Sequence, residues 1–179
     1  MSEIFIETER LILREILSTD EKGLFELDSN PKVHTYLGNN AVGNMGQIRE
    51  VIKKIQQQYI DYGIGRLAII DKETNDFIGW TGLKFVTETT NNHINFYDLG
   101  YRLIEKYWCK GIATETTKAT LKYAFEKLNL TEIFGMCEIG NVGSKNVLEK
   151  TGLKFIETFD FDGRKYNWFR ITKDEWTSE

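Results

Sequence analysis

Between Tyr97 and Glu115 the chain changes its backbone period. Residues 97–104 are an apolar, strand-like run, and a helical pattern begins near Ile112. The short connection Trp108-Cys109-Lys110-Gly111 joins them. A strand that feeds a helix through a glycine-bearing turn points to architectures in which helices cover a sheet. The same turn leaves several backbone N–H groups unpaired and aimed one way, with the positive end of the helix dipole behind them. Such a turn holds a phosphate without dedicated side chains.

The flanking sequence supplies the sheet and its covers. Residues 4–16 alternate apolar and polar positions, with Ile4, Ile6, Leu11 and Leu13 on the apolar side, and read as a first strand or two. Ser18 and Glu21 have capping-box spacing, which starts a helix running through Asp28. Ile48, Ile52, Ile55, Tyr59 and Tyr62 recur at helical spacing, and Gly63 supplies the stop. Strands are expected at 66–71, 77–86 and 94–103. Their polar connections, 72–76 and 87–93, make them an antiparallel meander. Leu121, Ala124, Phe125 and Leu128 mark one face of a long helix after Gly111. The strand at 132–138 is reached through that helix, so it runs parallel, or nearly so, to the strand before it. A short helix at 144–150 stops at Thr151-Gly152. Two last strands, 153–161 and 165–172, turn at Asp162-Gly163. The expected fold class is α+β: a mixed α/β sheet with helices on both sides.

Bulk properties narrow the function. The 179 residues suit one domain, and 41% hydrophobic with 28% charged residues fits an ordinary globular protein. A net charge of −4 argues against a nucleic-acid binder. Cys109 and Cys137 form neither a disulfide framework nor a zinc spacing, and His34 and His93 lie far apart, so no metal site is expected. The start Met-Ser-Glu-Ile-Phe has no basic leader, and nothing approaches the ~20 apolar residues of a membrane span. The reading is cytoplasmic, without a membrane partner. The sequon Asn129-Leu130-Thr131 is then a chance match.

Four stretches resemble one family. Thr8-Glu9-Arg10-Leu11-Ile12-Leu13-Arg14, Phe77-Ile78-Gly79-Trp80-Thr81-Gly82-Leu83, Asp98-Leu99-Gly100-Tyr101-Arg102-Leu103 and the run from Asn141 to Phe155 occur in the order seen in the GNAT superfamily of acyl-CoA-dependent N-acyltransferases. The likeness is greatest to the branch holding the ribosomal-protein serine/alanine N-acetyltransferases. It implies a GNAT fold: a predominantly antiparallel central sheet with a parallel, splayed strand pair. It implies acetyl-CoA as cosubstrate, with no metal. The backbone of Leu103 and Ile104 would bond the pantetheine arm. The amides of Cys109, Lys110, Gly111, Ile112, Ala113 and Thr114 would cradle the pyrophosphate, beside the aromatic Trp108. Asn141 would contact pantetheine and Asn146 the nucleotide end, and Ser144 would stand near the thioester sulfur. Cys109 departs from the branch, which usually has glycine there. It is tolerated if φ is negative and costs stability if φ is positive.

The chemistry is direct transfer. An α-amino group with a pKa of about 7.7–8.0 attacks a thioester only once a base takes its proton. Asp98 is the family-implied base, and Glu88 is an alternative. Ser144, or a nearby tyrosine in its place, would meet the leaving thiolate. Neither cysteine is needed as a nucleophile. Three readings compete: an N-acetyltransferase acting on a protein N-terminus or a small amine, a silent acyl-CoA sensor, and a purely structural domain. Homodimers are common in the family, and this sequence leaves that open.

Overall fold

Alternating apolar residues build one eight-stranded sheet in the computed structural model, which describes residues 4–176. The reading of Met1 to Glu3, and the side-chain alternation at Ile4, lie outside what is described. The strands are β1 (Ile4–Glu7), β2 (Leu11–Glu15), β3 (Arg66–Asp71), β4 (Phe77–Val86), β5 (Phe96–Leu103), β6 (Glu132–Glu138), β7 (Lys154–Phe161) and β8 (Arg164–Thr172). They lie in the order β1-β2-β3-β4-β5-β6-β8-β7. Among these pairs, β5–β6 alone is parallel.

Helices α1 (Glu21–Asp28) and α2 (Met45–Tyr62) cover one face. Leu24, Leu27, Ile48, Ile52 and Ile55 bury themselves there on Ala68, Ile70 and Trp80. Helices α3 (Ile112–Glu126) and α4 (Val142–Lys150) cover the other, where Leu121, Phe125 and Leu148 pack on Leu83, Leu99, Ile133 and Phe169. The mixed sheet with helices on both faces is the expected class. No helix among the described residues is long and apolar enough to cross a membrane.

Two helices start at other residues than expected. Residues 18–20 form a 3-10 turn in which Asp20 accepts the Leu17 N–H at 2.8 Å. Helix α1 follows at Glu21, and Asp20 makes no side-chain cap bond to it. Helix α4 begins at Val142 rather than Ser144, because Asn141 is its cap and accepts the Ser144 N–H at 3.1 Å. Gly63 ends α2 in the left-handed region, φ 66°, as expected of a glycine stop.

The parallel pair is short. Only Asp98↔Phe134 and Leu99↔Gly135 are in register. Beyond them β5 continues to Leu103 and β6 to Glu138 without pairing, so the two strands part and leave a gap in the sheet.

Candidate active site

The turn after β5 has the geometry its sequence suggested. Glu105–Tyr107 forms a 3-10 turn, with the Trp108 N–H donating to Glu105 O at 3.1 Å. Cys109 (φ 58°) and Gly111 (φ 77°) then both adopt left-handed backbone. A Cβ on Gly111 would meet nothing nearer than 3.9 Å, so conformation rather than space selects glycine there. Helix α3 makes its first internal bond from Glu115 N–H to Gly111 O, 3.0 Å. The N–H groups of residues 109–114 donate to no acceptor among the described residues. Arg10 braces the turn from behind. Its Nη2 donates to Lys110 O (3.3 Å) and to Glu115 Oε2 (2.5 Å), and Thr8 donates to the other oxygen of Glu115 at 2.7 Å. Lys110 carbonyl thus faces Arg10, which leaves the amides to face outward.

The gap between β5 and β6 lies beside this turn. The Ile104 N–H returns to Ile78 O at 3.0 Å, and Ile104 O accepts from Tyr107. Strand alternation therefore turns the peptide groups of Leu103 and Tyr101 toward the gap. Ile104 is already engaged on both groups, so the free donors fall on Leu103 and Tyr101. Trp108 is partly exposed and donates its indole N–H to Leu103 O at 2.8 Å, which pins the turn to the strand end. Across the gap, the Tyr101 hydroxyl donates to Ser144 O at 2.9 Å and lies 3.0 Å from Ser144 Oγ. Burial raises the Tyr101 phenol pKa, so it stays protonated. Asn146 lies exposed on α4, beyond Ser144.

On the opposite face of β5, alternation brings out Asp98, Gly100 and Arg102. Asp98 is mostly buried. Its Oδ2 lies 3.6 Å from Arg66 Nη2. Burial pushes its carboxyl up to about 6, against the pull of Arg66 and Lys84. The Arg66 guanidinium lies 4.1 Å over the Trp80 ring, and Arg102 lies 5.1 Å from the same ring. Burial lowers Arg66 to about 10, with Asp98 opposing. Arg102 donates to Asp28 Oδ1 at 2.6 Å, and His34 Nε2 is 3.7 Å from that oxygen. Burial, with Arg102 adding to it, lowers the His34 pKa. Glu88 is exposed in the β4–β5 connection. His93 lies in the β4–β5 connection, its ring tilted against Phe134 and Trp168 and its Nδ1 at 2.6 Å from Asn91 O.

A set of free turn amides, a gap in the sheet and a raised carboxyl thus lie close to where β5 and β6 separate. Residues 10–154 match the acetyltransferase (GNAT) domain. The chain belongs to the GNAT acetyltransferase family. It is an acyl-CoA-dependent N-acetyltransferase. The uncharacterized N-acetyltransferase p20 of Bacillus licheniformis is 30% identical over 141 residues, 79% of this chain and 77% of its own. The crystal structure of a GNAT-family acetyltransferase from Bacillus anthracis superposes with a TM-score of 0.79 at 24% identity, covering 97% of this chain and 99% of the other. Spermidine N-acetyltransferase from Vibrio cholerae, solved with CoA and spermine, superposes at 0.74 with 18% identity, over 94% and 98% of the chains.

Within this GNAT domain, Arg10, Glu115, Arg66 and Arg102 had no site role in the sequence. Arg10 stood in a quoted motif, but its partner lies 105 residues away. The signal for Arg66 was Gly100: a Cβ there would fall 2.8 Å from Arg66 Nη1.

Proposed function

We propose that this acetyltransferase moves an acetyl group from acetyl-CoA to a primary amine by direct attack, with both substrates bound together. The observation that carries the reading is the meeting of two half-sites. Unpaired turn amides and the strand gap lie at the end of β5, and the Asp98 carboxyl lies on that strand's other face, one rung before the last paired one, Leu99↔Gly135.

Acetyl-CoA supplies the acyl thioester. The amides of 109–114 hold its diphosphate, the Leu103 and Tyr101 peptide groups its pantetheine arm, and Asn141 and Asn146 the flanking parts. Asp98, ionised above about pH 6, takes a proton from the amine directly or through water. The amine nitrogen bonds to the carbonyl carbon while a main-chain N–H of β5 stabilises the oxyanion. The C–S bond breaks, and Ser144 or the Tyr101 hydroxyl 3.0 Å from it hydrogen-bonds the thiolate, which takes up the proton that the nitrogen gives up as the amide forms. Direct transfer needs no cysteine nucleophile, and burial pushes the Cys137 thiol up to about 11, which keeps it protonated.

The acceptor class is a primary amine, a protein N-terminus or a small amine. The spermidine N-acetyltransferase similarity supports an amine acceptor in this architecture. The test is thiol release from acetyl-CoA with and without added amine. Amine-dependent release is expected. Binding without amine-dependent release identifies a sensor and overturns the reading.

A further inference from the structure

Arg66 is a costly residue to place where it sits. Its side chain is only 20% exposed, and its donors make no hydrogen bond among the described residues. A guanidinium carries five N–H donors in a rigid fork, and those of Arg66 still reach water while bonded to no protein acceptor, so they are open to an acceptor on a ligand. The fold prepares the position. Trp80 supports the guanidinium plane from one side, and Gly100 leaves it room on β5. Arg102 differs, since it is bonded to Asp28. Arg66 is tied to Asp98 only by a 3.6 Å contact.

We propose that Arg66 and Asp98 together read an α-amino acid, with Arg66 gripping the acceptor's carboxylate while Asp98 receives its amine. This rests on the transferase reading above and names its acceptor. In an α-amino acid the nitrogen and the nearer carboxylate oxygen lie about 3 Å apart, as covalent geometry requires. That spacing matches the 3.6 Å between Arg66 Nη2 and Asp98 Oδ2, with the charges reversed. An incoming amino acid replaces one loose ion pair with two hydrogen-bonded ones, and the fork of Arg66 is then used in the bidentate manner it favours. A polyamine would set a second cation against Arg66, Arg102 and Lys84. A peptide N-terminus would offer Arg66 a neutral amide in place of a carboxylate. The transfer step stays balanced: the ammonium loses one proton to Asp98, the freed amine forms the N–C bond as the C–S bond breaks, and the nitrogen's second proton passes to the thiolate.

The experiment compares thiol-release kcat/KM for the common free amino acids, the α-amides of those that react, spermidine, and peptides beginning with serine or alanine. The free acid is expected to exceed its own amide about 100-fold, the loss that follows when a buried charged donor is left unpaired. In Arg66→Met that ratio should fall toward one, while acetyl-CoA affinity measured by calorimetry stays unchanged. Arg66→Lys should restore part of the preference. The wild-type acid-to-amide ratio decides the matter even where a variant fails to fold. Amides, polyamines or peptides that serve as well as free acids, or a preference that survives Arg66→Met, would overturn the proposal and leave the transferase reading intact. The absence of amine-dependent release with every class of amine would defeat both.

Discussion

Asp98 carries the largest consequence at the scale of single residues. Its carboxyl is raised to about 6, burial being the main cause, so it binds a proton at acid pH and is free to act as base only above that value. The acid limb of kcat/KM should therefore fall through about pH 6, in addition to the fall that follows protonation of the amine. Asp98→Asn should cut turnover about 100-fold, leave acetyl-CoA binding intact and remove the limb near 6. Unchanged turnover in that variant would take Asp98 out of the mechanism. Cys109 poses a separate question of strain. Its φ of 58° places a non-glycine residue in left-handed backbone, at a cost of roughly 1–2 kcal/mol. The condition set by the sequence is met on the costly side. Replacing it with glycine relieves that strain but adds disorder to the unfolded chain, by about 0.4–1 kcal/mol. Cys109→Gly should then stabilise the protein by roughly 0.5 kcal/mol in urea titration. Because the thiol is exposed beside the free amides, alkylation should be fast in the free protein and slowed by saturating coenzyme A. Equal rates would displace the cosubstrate from this turn.

Between elements, the β5–α3 junction depends on a brace supplied from far away in sequence. Arg10, in the β1–β2 corner, holds both Lys110 O and Glu115 at the first turn of α3. The pair is half exposed, so its worth is about 0.5–1 kcal/mol. Arg10→Ala should weaken acetyl-CoA binding about 3- to 5-fold in calorimetry, without changing the acceptor KM. Elements were legible in the sequence where one local signal governed them. The continuous apolar run of β3, the 3.6-period face of α2 and the glycine turn at Gly111 each lie within a few residues. The misplaced helix starts arose where a 3-10 turn precedes the helix, at residues 18–20, and where Asn141 rather than Ser144 supplies the cap. The gap was legible only through family resemblance, since two registered pairs between β5 and β6 leave no mark in periodicity.

Taken as a whole molecule, the fold works by register. Arg66 begins β3 and Asp98 lies in β5, and the meander brings them to 3.6 Å because Arg66 pairs with Gly82, and Gly82 with Gly100. No local pattern announces that meeting, which is why the acceptor floor was read less well than the turn. Topology also divides the labour. In the proposed reading, one face of β5 would serve the cosubstrate beside Tyr101 and Ser144, and the other would serve the acceptor beside Asp98, Arg66 and Arg102. The central claim is that the free amides of the turn and the parted strand edge bind the acyl carrier as one surface. Backbone amide NMR measures it directly, by titrating the labelled protein with acetyl-CoA. The account predicts large shifts for the amides of Gly111, Ile112, Ala113, Thr114 and Leu103, with little change at Ile104, whose N–H is already bonded to Ile78. Saturating acetyl-CoA that leaves those five amides unmoved would contradict it.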